Sequence, residues 1–596
     1  MKRLSYLILL AGVFGSLISC KKYLEKPDTT GTTTAETVFS NKVGAEAAMA
    51  NAYRQILAHG LWPDGGINNG TLPGLSGESS YAESWMTLSK FITAGFSAQA
   101  YDSRPAQSPD NLFNNYRDIR RCYIVLENVD KATDMTDAEK SAMKAEMKAL
   151  IAYRYMGMLI RYGGVPLVTK SLASTDDLNI TRATLQETVD FIKNLCDEAT
   201  AGLPDAWESK YAGRLTKGAA MAIKARTLLY AARPLFNSAA PYMQLNGNNN
   251  LICFGNATND RWNDVIAVNE AVITWANANG YELINTSGLV NAPNVNAFDD
   301  YATATSTPNN KEVLLAYKYD IQNDKFFRFY NAAYTGERYL IDNYGLLTNF
   351  LENYYKADGS SQVWPGIGQA NAQPFSVFQS KMNEMEPRFW ADNMPHTFNA
   401  RNNPGDITWN YNARNTGDLF GKGGNRGPSG RGKGAAVTVK FYYKAGTRNW
   451  FEFPIFRMAD FYLSLAEAYN EVGNNAKALE NLNKVHNRAG LPSITEANQD
   501  LLRKAIQREW AIEFYYENRR FFDVRHWKLT DIGSGILGGQ MRELQFTITG
   551  DALLPSGYVD FYDNVVYSTY WDPKMFLFPI PQEEVDKGVV LQNPGY

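Results

Sequence analysis

Glu509, Glu513 and Glu517 stand four residues apart in a stretch that reads as one helix, roughly Asp500 to Asn518. That spacing lines three carboxylates along one helical face. Arg508, Arg519, Arg520 and Asp523 lie around or just beyond them. Clustered carboxylates can move protons or hold a metal. The predicted helix contains no His, however, and each acid has an Arg near it in sequence. The face therefore reads as an ion-paired seam anchoring the helix to its neighbours, since such networks perturb acidities without catalysing anything.

Other catalytic chemistry finds few players. No G-x-S-x-G, H-E-x-x-H, G-x-x-x-x-G-K-[ST] or G-x-G-x-x-G occurs. His59, His396, His486 and His526 are the only histidines, and none are paired at metal spacing. A glycosidase needs only two carboxylates, and 62 acidic residues offer many pairs, so spacing alone leaves that class open. Cys122, Cys196 and Cys253 sit in apolar or helical contexts without CxxC spacing and read as small core residues, not a disulfide framework or zinc cluster. No cofactor is expected. The Asp/Asn-rich loops leave structural calcium open, although no D-x-D-x-D-G loop is present.

The elements that must position the acidic face are helical. The helix is preceded by two others, 457–472 and 475–488, joined at Gly473-Asn474-Asn475. Leu463, Ala466 and Tyr469, then Ala478, Leu482 and Val485, follow helical spacing. Small residues at Ala466, Gly473 and Ala478 would let the pair approach as in tetratricopeptide (TPR) hairpins. Upstream, Val43 to Ala58, Asn111 to Ala132, a helix opened by the capping box Thr136-Asp137-Ala138-Glu139, another opened by Thr184-Leu185-Gln186-Glu187, and the pair Thr216 to Phe236 and Asp260 to Asn279 continue the pattern. About eight main helices result, consistent with stacked TPR-like hairpins without a clean 34-residue period. The expected class is mainly α, with long irregular insertions carrying a few short strands such as 312–320.

The first insertion, about 60–111, interleaves Trp62, Tyr81, Trp85 and Phe91 with Asn68, Asn69, Glu78 and Ser80. Long irregular insertions in a regular scaffold are functional or disordered. The second, about 281–456, contains an Asn/Gly/Arg-rich stretch at 399–433 that reads as a mobile loop with a solvated basic surface. Aromatics make up 13% of the chain, with 35 Tyr and 12 Trp. Such rings fill a core, or lie flat against the apolar face of a sugar.

The chain's start carries Lys2 and Arg3, an apolar run from Leu4 to Ile18, and Leu17-Ile18-Ser19-Cys20. This reads as a bacterial lipoprotein signal, 1–19, cleaved before a lipidated Cys20. The run is short for a bilayer span of about 30 Å. A multiply acylated Cys20 would anchor the chain, with 20–42 as a polar tether. Removing Lys2 and Arg3 takes the formal charge from -3 to -5, and no basic block suits a phosphate backbone, so nucleic acid is not an expected partner.

RMADFYLSLAEAYNE, AKALENLNKVHNRAGLP, AIQREWAIEFYYENRRFFDVRHW and the closing FLFPIPQEEVDKGVVLQNPGY together resemble the C-terminal half of the SusD/RagB family of surface glycan-binding lipoproteins. Tyr153, Arg154, Tyr162, Gly163, Gly164, Val165, Pro166 and Leu167 are similar to another of its patterns. His486 departs from it, standing where the family usually carries Arg, and Leu351-Glu352-Asn353-Tyr354 lacks the family's acidic pair. The resemblance implies a SusD-like α/α superhelix over 43–596 that binds oligosaccharide without catalysis at the outer-membrane surface. It also implies a partner, a SusC-like TonB-dependent transporter, over whose mouth the protein sits as a lid. Loop placement and ring type make Tyr81, Trp85, Tyr339, Tyr344, Trp364 and Trp409 the candidate sugar contacts. The rivals are a surface glycoside hydrolase and a transporter lid for peptide cargo.

Overall fold

A computed structural model describes residues 34–57, 72–80, 92, 95–99, 112–320, 345–395, 397–398, 434–441, 443, 450–529, 536–550 and 555–596. Its scaffold is a run of antiparallel helices: α1 Lys42–Leu57, α2 Leu112–Asn128, α3 Asp137–Tyr162, α4 Leu185–Gly202, α5 Lys217–Ala232 and α6 Asp260–Ala278. Local chemistry sets their starts. Thr136 and Glu139 form a reciprocal capping box at α3, and Thr184 and Glu187 repeat it at α4, as their spacing predicts. Thr216 caps α5 through the Ala219 amide.

Each helix packs on the next, α3 on α4, α4 on α5 and α5 on α6. The chain then leaves the array. After a long excursion it returns as α10 Met458–Glu471, which packs against α6 and continues the stack with α11 Asn475–Arg488 and α12 Gln499–Glu513. Ala466 and Ala478 are buried between α10 and α11, as the small-residue pattern predicts. Gly473 serves differently: at φ 81 it makes the left-handed turn between them, and a Cβ there would meet nothing within 4 Å. This is the mainly α, TPR-like architecture expected from the helical periodicity. No described helix is long and apolar enough to cross a membrane.

The excursion holds more regular structure than its sequence suggested. It contains α7 Ala297–Ser306, strand β1 Val313–Asp320, β2 Gln373–Pro374, α8 Phe375–Asn383, α9 Pro387–Asp392, β3 Asn393–Pro395, β4 Ala436–Thr438 and β5 Trp450–Arg457. β1 pairs antiparallel with β5, Tyr317 opposite Phe453 and Val313 opposite Arg457. Residues 347–359 hold only one helical turn, Thr348–Leu351, because the chain then bends back in β-bridges at Tyr355–Ser361 and Lys356–Met385. After a short helix α13, Arg520–His526, a hairpin of β6 Gly539–Ile548 and β7 Tyr558–Thr569 forms the largest sheet among the described residues, with β2 on the other edge of β7.

Cys122, Cys196 and Cys253 are buried free thiols, as their contexts predict. Burial pushes the Cys122 and Cys196 thiols well above the ordinary thiol range.

Candidate functional site

The acidic face is wholly buried. Helix α12 ends at Glu513, a turn before the boundary expected from the sequence, and the chain breaks at Tyr516 and Asn518, both at φ 60. Glu517 therefore leaves the helical face but still reaches Arg457, a partner it shares with Glu513. Arg457 is delivered by the junction of β5 and α10, pinned where the Met458 amide donates to the Glu312 carbonyl at 2.9 Å. Its Nη1 donates to Glu513 at 2.5 Å and Glu312 at 3.0 Å, while Nε and Nη2 grip both Glu517 oxygens at 3.0 and 2.9 Å. Arg388 on α9 reaches Glu509 at 2.6 Å, Glu513 at 3.0 Å and Glu386 at 2.8 Å. Arg488, in the last turn of α11, donates to Glu312 at 2.8 Å and also to Glu513. His486 Nδ1 lies 2.9 Å from Glu509, so the histidine that departs from the family pattern still supplies a buried seam contact.

Glu509, Glu513 and Arg388 are 0% exposed, so no substrate reaches them. The ion-paired-seam reading of the sequence is correct. Burial opposes ionisation, but Arg388 and His486 overcome it and hold the Glu509 carboxyl down at about 2. Glu513 is driven lower still, against the same penalty, by Arg488, Arg457 and Arg388. Among the described residues no group of three or more His, Cys, Asp or Glu is arranged to hold a metal ion.

At the edge of this seam Asp392 behaves in the opposite way. Its Oδ2 accepts from Tyr354 at 2.9 Å and Tyr301 at 3.2 Å, and Lys440 Nζ stands 3.8 Å from Oδ1. Burial pushes its carboxyl up to about 7, against the pull of Lys440. The folded protein thus holds this proton more tightly than the unfolded chain does. The resulting stabilisation is full below the ordinary Asp value of about 4 and is lost as pH rises through about 7. Asp392→Asn mimics the protonated form. Its stability relative to the wild type, read from urea melts, should rise between pH 5 and pH 8 by roughly 2–4 kcal/mol. A difference independent of pH over that window would refute the assignment.

Both insertions take root on the seam. In the first, a helical turn at Leu72–Leu75 leads to Glu78, whose Oε1 accepts the Tyr516 amide at 2.9 Å. Glu78 and Ser80, interleaved in the sequence with the aromatics of the first insertion, are buried parts of this root. Ser79 bridges Leu346, the Ser80 amide donates to the Gly345 carbonyl at 2.9 Å, and the Leu346 amide donates to the Ala436 carbonyl at 2.9 Å. Residues 79–80, 345–346 and 434–436 thus lie side by side. Beyond Thr438, Lys440 ties the third piece to the seam by donating to Glu517 at 2.9 Å and to the Tyr515 carbonyl at 2.7 Å. These root contacts join residues far apart in the chain, and no local sequence pattern points to them.

Of the six candidate sugar contacts, Trp364 alone falls among the described residues. It is half-buried, packs against the main core and keeps its Nε1 shielded from solvent without a hydrogen-bond partner. Its neighbours Val363 and Ile367 are 73% and 48% exposed. Tyr81, Trp85, Tyr339, Tyr344 and Trp409 lie outside the described residues, as do Cys20, the N-terminal signal and the 399–433 loop.

The sequence and fold were compared with known proteins. A family model described as the SusD family matches residues 296–596, and a second, described as starch-binding associating with outer membrane, matches 64–229. No curated protein matches the sequence. Among solved structures, a SusD-like protein from Bacteroides fragilis NCTC 9343 superposes with a TM-score of 0.72 at 23% identity, covering 96% of this chain and 100% of that one. A SusD-like carbohydrate binding protein from the same organism superposes at 0.65 with 17% identity, covering 93% and 99%. A laminarin binding SusD-like protein superposes at 0.52 with 19% identity, covering 94% and 100%. At these identities the superpositions speak for the fold, while the sequence match over 296–596 carries through the α10–α12 stack and the buried seam to the last residue. The chain belongs to the SusD family.

Proposed function

We propose that this protein is a non-catalytic, lipid-anchored glycan-binding protein of the outer-membrane surface that passes oligosaccharide to a SusC-like TonB-dependent transporter. The observation that carries the reading is the common root. The described ends of both aromatic-rich insertions are hydrogen-bonded to each other at Ser79–Ser80 and Gly345–Leu346. Tyr81 directly follows Ser80 in the chain and Tyr344 directly precedes Gly345. The buried seam beneath supplies a rigid base for stacked rings, each worth about 1 kcal/mol beyond area burial. Two or three such contacts give an affinity in the micromolar-to-millimolar range. The family descriptions and the laminarin-binding relative support the ligand class.

A glycan array followed by calorimetry on the best ligand tests this. Binding is expected without release of reducing ends, and Trp85→Ala should weaken it about tenfold. Accumulating reducing ends would favour a hydrolase. A transporter complex that forms while no glycan binds would favour a lid for other cargo.

A further inference from the structure

Between α3, α5, β5 and the turn after α12 lies a cavity of about 120 Å³, room for several waters. Four guanidinium groups line it, from Arg154 and Arg161 on α3, Arg226 on α5, and Arg519. Glu517 is the one carboxylate among its described lining residues, and it is already engaged by Arg457 and Lys440.

Two of these arginines, Arg154 and Arg519, keep buried donors without an acceptor. Arg154 Nη2 donates to Asp118 at 2.9 Å and the Gln55 carbonyl at 3.1 Å, while its buried Nε has no hydrogen-bond partner. Arg226 reaches the Ile455 carbonyl at 2.6 Å and Asp460 at 3.1 Å. Arg519 leans against the same Asp460, and its Nε stands 3.8 Å from Asp523, beyond hydrogen-bond reach. Asp523 is engaged by Arg233 and by Tyr230. Arg519 is 6% exposed, yet its Nε and Nη2 have no acceptor. A buried donor without a partner is costly, and a charged one more so. Burial and the nearby Arg226 accordingly pull the Arg519 guanidinium down to about 9.

We propose that this cavity is an oxyanion site that takes the carboxylate or sulfate group of a small acidic ligand. A planar guanidinium with two free donors suits such a group, since both N–H···O bonds form in one plane. Met156, Ile455 and Phe522 supply apolar wall for the carbon skeleton attached to it. The proposal does not depend on the neutral-glycan reading above: Leu72 of the first insertion lines the cavity, but none of Ser79, Ser80, Gly345, Leu346 or residues 434–436 does.

The mature chain, at low ionic strength with matched sodium chloride controls, is melted with sodium sulfate, sodium glucuronate or glucose. At a hundredfold excess over Kd, the anions should raise the melting temperature by about 2 °C and glucose should not. A response to sulfate alone assigns the site to sulfate groups; one to glucuronate alone assigns it to carboxylates. Arg519→Gln should abolish the response. Gly157 lines the cavity, and Gly157→Leu takes up part of its volume while keeping every charge. A Cβ there meets only Arg161 Nη1, at 3.6 Å, so this variant should melt no lower than wild type without anion and should also lose the response. No anion response in the wild type, a glucose response equal to that of glucuronate, or a response retained by either folded variant would overturn the proposal.

Discussion

Glu513→Ala should lower the unfolding free energy by about 3–5 kcal/mol, the range for leaving buried charges without their partner. Three guanidinium groups converge on this carboxylate, from Arg388, Arg457 and Arg488. All four side chains are 0–1% exposed, so the three cations lose their acceptor away from bulk solvent. The loss would be read as a shift of the urea midpoint at constant slope. Glu480→Ala is the control: Glu480 also pairs with two cations, Lys477 and Lys484, but is 46% exposed, and such pairs are worth about 0–1 kcal/mol. A Glu513→Ala shift no larger than the control's would refute the seam's structural role. The acid limb follows with the opposite sign to Asp392. Glu509 and Glu513 are held below the ordinary range, so their stabilisation is present above about pH 4.5 and drains away as pH falls toward 2.

Gly434→Ala should cut glycan affinity at least tenfold while leaving most of the helical array folded. Gly434 sits at φ 86, where a side chain is strained, and a Cβ there would stand 2.5 Å from the Leu346 carbonyl oxygen. Backbone has no rotamer through which to yield, so the strand of residues 345–346 must shift away from 434–436. The hydrogen bonds from Ser80 to Gly345 and from Leu346 to Ala436 then break together. A binding surface displaced by an ångström or more loses most of its affinity. The expected pairing is a fall of at least tenfold in glycan affinity with nearly unchanged far-ultraviolet circular dichroism. Wild-type affinity in a folded Gly434→Ala protein would show that the root does not position the ligand surface.

Much of the scaffold was legible because its signals are local. Thr136 with Glu139 and Thr184 with Glu187 announce helix starts within four residues, and the apolar spacing of Leu463 and Ala466 needs no partner to be recognised. The acidic face was legible in type and not in extent: spacing carried Glu517 along the helix, whereas the chain turns out at Tyr516 so that Glu517 can meet Arg457 and Lys440. The β6–β7 hairpin went unseen, although Tyr558, Val565 and Tyr567 mark a β-rich run. The loop between its strands offers Gly550 and Pro555 but no two-residue turn signature. The root of the insertions was illegible for another reason. Ser79 and Leu346 are ordinary residues separated by more than 260 positions, and only the folded helices bring them together.

The return of the chain at α10 to rest on α6 has a bearing on how such proteins diversify. Between those two helices the chain is tied back to the scaffold at Glu312, Arg388 and Lys440, and only the stretches between these ties hang from a gap that the scaffold closes by its own packing. For a flexible connection, doubling the length of such a gap costs only about 0.6 kcal/mol of closure entropy. Stretches between those ties could therefore be lengthened, shortened or exchanged over generations while the array underneath kept its sequence, so that a lineage could vary these segments without rebuilding its skeleton.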